Sequence, residues 1–209
     1  MEYGFKGNVK VVTKRVYSNP VIEGDNIRPD TDNQISTYIY FFNPDGNINS
    51  SKTEYTFPTG ETNGYKTIYK FQNSRKSEWI AINENGETLL TGKIKWTSEN
   101  EYTEHVFDVS GIAKYETTVI LNDSFRIIKI KIKSFDNLGN AVQDDVQEFD
   151  LDKQLNALSY KTTHNASGET ESTDYKYLKM TDFGNPMELL MTKRDKRMNT
   201  LIKMDYIYY

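Results

Sequence analysis

Residues 125–135 read Phe-Arg-Ile-Ile-Lys-Ile-Lys-Ile-Lys-Ser-Phe, and their alternation is the tightest constraint on what the chain can fold into. Ile128, Ile130 and Ile132 share one parity; Lys129, Lys131 and Lys133 share the other. A strand sends successive side chains to opposite faces, so this segment has one apolar face and one wet face. On a helix the same residues would smear around the axis. The period of two recurs in Val9–Val16, Ile35–Phe42, Ile48–Phe57, Tyr65–Phe71, Glu78–Ile82, Thr88–Trp96, Tyr102–Phe107 and Ala113–Leu121. It continues through Ala141–Phe149, Leu155–Thr163, Thr170–Met180, Met187–Lys193 and Leu201–Tyr208, all rich in β-branched and aromatic residues. Only Glu188–Met198 (ELLMTKRDKRM) has local helical character that competes with a strand.

A second pattern supplies the reversals. A large or apolar residue is followed by Asp or Asn, two more residues and Gly, as in Phe42-Asn43-Pro44-Asp45-Gly46 and Ile82-Asn83-Glu84-Asn85-Gly86. It returns at Phe107–Gly111 and Phe135–Gly139, and more loosely at His164–Gly168. Phe149–Lys153 carries Lys where Gly is expected, and Thr181–Gly184 is one residue short. The Asp or Asn side chain bonds to the backbone ahead and starts a type I turn. Gly then takes the left-handed conformation that closes a bulged hairpin, which predicts positive φ at Gly46, Gly86 and Gly139. Pairing Asp136 with Asn140 and counting outward sets Lys131 against Asp145, Ile130 against Val146 and Ser134 against Val142. That register leaves Asp144 and Glu148 on the apolar face, as charges at a sheet edge would be.

Together these signals predict an all-β fold, an antiparallel meander of successive hairpins forming a large twisted sheet, open or partly rolled into a shell. The 209 residues are read as one domain, 1–209. Only 36% of them are hydrophobic, and 15 Tyr, 10 Phe and 2 Trp supply much of the apolar area. That suits a sheet with one solvated face. Ser18–Asn33 is the longest segment read as non-strand, and residues 58–64 (PTGETNG) are read as another polar loop.

Composition narrows the function classes. Net charge is −4 with signs interspersed, so no basic patch for nucleic acid stands out, apart from Lys193, Arg194, Lys196 and Arg197. There is no cysteine, hence no disulfide or thiolate chemistry. No stretch is apolar enough for a transmembrane helix, and the first residues lack the apolar run of a signal peptide. His105 and His164 are the only histidines and nothing in the sequence brings them together, so no metal site or cofactor is expected. Nucleophile elbows, phosphate loops and zinc-protease motifs are missing. Asp144, Asp145, Glu148, Asp150 and Asp152 form the densest acidic cluster. A glycosidase pair among them would need a cleft holding two acids about 5–10 Å apart. Tyr38, Tyr40, Tyr65 and Tyr69 make in-line aromatic stripes that suit stacking against a sugar ring or anchoring a protein, and they are the candidate binding residues.

The aromatic-Asp-x-x-Gly-Asn element, best kept at Phe42–Asn47 and Phe135–Asn140, resembles the YD repeats of Rhs-type proteins. Tyr3-Gly4-Phe5-Lys6-Gly7-Asn8-Val9-Lys10 is similar to the opening of small Rhs/YD-repeat-like proteins of Bacteroidetes. Asp182-Phe183-Gly184-Asn185, Thr192-Lys193-Arg194 and the terminal Tyr206–Tyr209 resemble their closing elements. The resemblance implies a degenerate repeat module exported to the periplasm or cell surface, with a lipid anchor on a leader; a cytoplasmic location is the alternative. The expected function is a non-enzymatic binding or structural module presenting a sheet surface to a protein or glycan. A toxin-neutralising immunity-like protein and a carbohydrate-active enzyme with a carboxylate pair are the other two readings.

Overall fold

Alternating strands joined by tight Asx turns place each strand beside its predecessor, and apolar parity then has to be covered from one side. The computed structural model describes residues 5–30, 34–57, 59–194 and 198–209, and these are strand, turn and connecting segments throughout. The strands are β1 (Val9–Ser18), β2 (Val21–Glu23), β3 (Asn26–Arg28), β4 (Gln34–Phe42), β5 (Ile48–Thr56), β6 (Thr62–Gln72), β7 (Arg75–Ile82) and β8 (Thr88–Trp96). They continue as β9 (Glu101–Asp108), β10 (Ala113–Leu121), β11 (Ile127–Phe135), β12 (Ala141–Leu151), β13 (Ala157–His164), β14 (Thr170–Met180), β15 (Pro186–Lys193) and β16 (Met198–Tyr208).

The expected all-β antiparallel meander is present, and it closes. Strand β1 pairs with β16 on one side and β4 on the other, so fourteen strands form a closed barrel in the order β1-β16-β15-…-β5-β4. The sequence left closure open because pairing of the first and last strands is a long-range event that no local pattern encodes. Two segments differ from their sequence reading. Residues 18–33, read as non-strand, contain the separate β2–β3 hairpin, reversed at Gly24 with φ 62°; residues 31–33 lie outside those described. Of Glu188–Met198, the competing helix, Glu188–Lys193 lies in β15 and Met198 opens β16, because Leu189, buried among Val16, Ile202 and Met204, gains more from that cluster than from helix propensity. Asp195, Lys196 and Arg197 lie outside the described residues, as do Tyr3, Gly4 and Pro58.

The turns follow the Asx-glycine chemistry. Asn43 donates its N–H to the Asn47 carbonyl and Gly46 donates to the Asn43 carbonyl, both at 2.8 Å. Gly46, Gly86 and Gly139 all have φ of 82–83°. The same turn occurs without glycine at Asn122–Arg126 and Asp152–Asn156, where Phe125 and Leu155 take φ of 57° and 66°. The turn expected at Phe149–Lys153 therefore lies two residues later than read, because Asp152 and not Asp150 starts it. At Thr181 a threonine takes the Asx place, and the motif is complete instead of short.

The β11–β12 register also differs from the count made on the sequence. Lys131 faces Val146, Ile132 faces Asp145 and Ser134 faces Gln143, with a shift between Ser134 and Phe135. The bulge inserts one residue, and one residue exchanges the faces of the whole partner strand. Asp144 and Glu148 thus lie on the lysine face, opposite Lys133 and Lys129, and Asp145 turns to the isoleucine face.

The chain divides into two compact units, a central one of Thr67–Ser172 and a terminal one of Phe5–Lys66 with Thr173–Tyr209; the boundaries fall inside β6 and β14. In each unit the parity that holds most of the buried residues is the inner face of the barrel sheet; in the terminal unit the opposite parity also carries a buried row, Tyr17, Leu201 and Leu190. In the central unit one inner row runs Trp96, Tyr102, Val119, Ile130, Gln147, Thr162. An outer row runs Lys93, His105, Glu116, Lys133, Asp144. In the terminal unit an inner row runs Ser36, Val16, Ile202, Leu189, Tyr177, and an outer row runs Glu54, Thr37, Arg15, Lys203, Glu188, Lys179.

Two close approaches fix these faces. Gly92 on β8 faces Trp79 on β7, and a Cβ there would lie 2.1 Å from the indole. The indole fills the glycine gap and donates Nε1–H to Glu104 on β9 at 2.6 Å. In the terminal unit Asn185 is 1% exposed. It accepts the Lys6 N–H at 2.6 Å and donates to the Lys6 carbonyl at 2.7 Å. Phe183 packs on Tyr208 beside it, with ring centroids 4.9 Å apart. The opening and closing motifs of the sequence thus form one clasp.

Candidate functional site

On β1, Val12, Lys14 and Val16 share a parity, so the chain pattern itself puts one lysine on an apolar face. Val12 and Val16 are buried, and Lys14 is half-buried between Tyr38 on β4 and Met204 on β16. Its ammonium lies 5.3 Å from the Tyr38 ring centroid, a cation–π contact. Burial holds its pKa below the ordinary 10.5. Among the described residues no carboxylate forms an ion pair with it.

Around Lys14 the inner face is aromatic. Tyr38 and Tyr40 stack with centroids 6.4 Å apart and planes 7° from parallel. Tyr55 contacts Tyr65 at 6.3 Å and shares hydrogen bonds with the Tyr65 and Tyr38 hydroxyls. Burial pushes the Tyr55 phenol above its usual range, with those hydroxyls adding to the shift. Burial does the same to Tyr206, which donates its hydroxyl to the Pro186 carbonyl at 2.7 Å. These phenols stay protonated at any ordinary pH and remain donors. Beyond them lies an apolar cluster of Val16, Leu189, Ile202 and Met204, with Met191, Tyr175 and Tyr177 packed against it.

Of the four tyrosines singled out in the sequence, Tyr38, Tyr40 and Tyr65 belong to this terminal unit. Tyr69 belongs to the central unit, where the Lys76 ammonium sits 5.2 Å from its ring centroid. Sequence reasoning missed Lys14, Tyr55 and Tyr206. The signal for Lys14 was available as a lysine on the valine parity of β1.

The central unit uses its polar groups locally. Asp145, 5% exposed, accepts from Gln143 and lies 2.8 Å from His164 Nδ1. His105 lies on the outer face, 3.5 Å from Glu116, so the two histidines occupy opposite faces. Glu148 pairs with Lys129 at 2.8 Å, and Asp150 accepts from Ser159. Asp152 caps its turn by accepting the N–H groups of Gln154 and Asn156. The acidic cluster is thus split between two faces and a turn. Among the described residues no group of three or more His, Asp or Glu is arranged to hold a metal ion.

A closed, all-antiparallel β-barrel with an aromatic and apolar inner face is the class this architecture defines. No family model matches the chain, and no curated protein matches it. Among solved structures it is similar to a porin-like protein from Bacteroides vulgatus, with 10% identity, a TM-score of 0.55 and coverage of 97% of this chain and 99% of that one. It is likewise similar to a porin-like protein from Bacteroides uniformis, with 10% identity, a TM-score of 0.52 and the same coverage. At that identity the likeness is one of fold. It overturns the resemblance to Rhs/YD-repeat proteins, because the matched folds are porin-like barrels. The motifs behind that resemblance specify bulged hairpins and a terminal clasp, which any antiparallel meander can use. No helix among the described residues is long and apolar enough to cross a membrane.

Proposed function

We propose that this chain is a non-enzymatic, envelope-associated binding barrel that works in water and holds an apolar-faced small ligand against its inner aromatic surface. The observation that carries the reading is the polarity of the two faces. A barrel that spans a membrane turns an apolar band to lipid and keeps a polar interior. Here the outer rows carry Lys93, Glu116, Lys133 and Asp144 in one unit and Glu54, Arg15, Lys203 and Glu188 in the other. Charges at mid-strand on a lipid face cost about 2–4 kcal/mol each. The inner rows carry Val16, Ile202, Leu189 and Tyr177 in the terminal unit and Trp96, Tyr102, Val119 and Ile130 in the central one, and the apolar outer row of Tyr17, Leu201 and Leu190 is buried. The likeness to porin-like proteins supports an envelope setting, and the face polarity supports its aqueous side.

The second reading, a glycan, draws on the near-parallel Tyr38–Tyr40 pair, whose faces suit a sugar ring. One experiment separates these readings from a pore. Purified protein without detergent is mixed with lipid vesicles and, separately, with N-phenylnaphthylamine. The expected result is no insertion or conductance, together with dye fluorescence that hexadecanol displaces. Channel conductance would overturn the aqueous reading. Displacement by oligosaccharides but not by hexadecanol would select the glycan.

A further inference from the structure

The geometry points to a long-chain fatty acid as the ligand of the terminal unit. Its carboxylate would sit at the Lys14 ammonium and the neighbouring tyrosine hydroxyls, and its tail along Val16, Ile202, Leu189 and Met191. This inference rests on the reading of the inner face as a ligand-binding surface and deepens it by naming the headgroup.

Three observations carry it. First, Lys14 is a cation placed on an apolar parity, flanked along its strand by Val12 and Val16 and across it by Tyr38 and Met204. A buried charge without a partner is costly, and it persists where a ligand of opposite sign completes it. Among the described residues no carboxylate completes this one. Second, the polar groups beside Lys14 are the phenols of Tyr38 and its neighbour Tyr55, whose hydroxyls can donate to an anion without adding charge. One cation with neutral donors matches a single negative charge, which favours a carboxylate over a phosphate dianion. Third, the apolar cluster of Val16, Leu189, Ile202 and Met204 adjoins Lys14 on the same face, as an amphiphile with head and tail requires. In the central unit, by contrast, the inward Asp145 is completed by Gln143 and His164.

The test is calorimetric titration of the full chain with palmitate, methyl palmitate and hexadecanol, repeated on Lys14→Met and Lys14→Arg. Palmitate is expected to bind the wild-type chain about tenfold or more tightly than the two uncharged probes, the difference a charge-assisted contact makes. Lys14→Met is expected to erase the advantage of palmitate over the uncharged probes; Lys14→Arg is expected to keep it. The head-group series on the wild-type chain stands even if a variant fails to fold. Equal affinity for all three probes would overturn the headgroup assignment while leaving the apolar-ligand reading intact. Failure of all three to bind would overturn both.

Discussion

Asp145 and Lys14 each point to an inner face of the barrel sheet, and their surroundings differ. Asp145 in the central unit lies in a row with Ile132 and His164, and Gln143 and His164 satisfy both its carboxylate oxygens. Lys14 in the terminal unit lies in a row with Thr53, Tyr38 and Met204, with an aromatic face against its ammonium. The central unit also fills its own gaps, with Trp79 lying in the space that Gly92 leaves. The difference teaches where to look for ligand chemistry. A buried polar network that satisfies itself rigidifies the fold, and a buried cation that does not is available to something else.

The comparison can be broken most sharply at Gly92. Adding a methyl group there displaces the Trp79 indole and its bond to Glu104, so Gly92→Ala is expected to cost about 3 kcal/mol in urea unfolding. A loss under about 0.5 kcal/mol would show that the central face is not closed by this contact. The terminal clasp should respond nearly as strongly. Asn185→Ala removes the buried amide that satisfies the Lys6 N–H and carbonyl and is expected to cost about 2–3 kcal/mol by the same measurement. Gly139→Val forces a β-branched residue to positive φ and is expected to cost about 1–2 kcal/mol, read from thermal melts. Lys14→Met should act with the opposite sign. Removing a desolvated ammonium from an apolar row is expected to stabilise the terminal unit by about 1 kcal/mol, where Asp145→Ala, which breaks a satisfied network, destabilises.

The smallest effects concern acid. Asp45 and Asp108 are held below the usual carboxylate range chiefly by backbone N–H bonds from Asn47 and Ile112, and Asp136 chiefly by the Asn140 amide. Each contribution is complete above the unfolded value of 3.8 and is lost as pH falls through the depressed folded value. Asp136→Asn should therefore lower the plateau of a stability–pH profile slightly and flatten its acid limb. An unaltered acid limb would count against the turn-cap assignment.

Much of the strand architecture was legible in the sequence. Period-two parity located the barrel strands, and the Asx-glycine motif located most reversals, because both are local chemistry repeated within a few residues. The turns at Asn122 and Asp152 escaped because Phe125 and Leu155 occupy the left-handed position usually given to glycine. The tyrosine stripe on β4 was legible too, but Tyr55 and Tyr206 join it only through cross-strand neighbours.

By itself the sequence determined which segments are the barrel strands, which parity of most of them is apolar, and where most of the bends fall. Tertiary structure alone decided that β1 meets β16, that a one-residue bulge sends Asp145 inward and Asp144 outward, and that Lys14 faces Tyr38. The physical reason is one of range: parity and turn preference act between near neighbours, whereas closure, register and the pairing of a buried charge depend on residues as far apart as Val12 and Tyr206, whose meeting only the assembled sheet enforces.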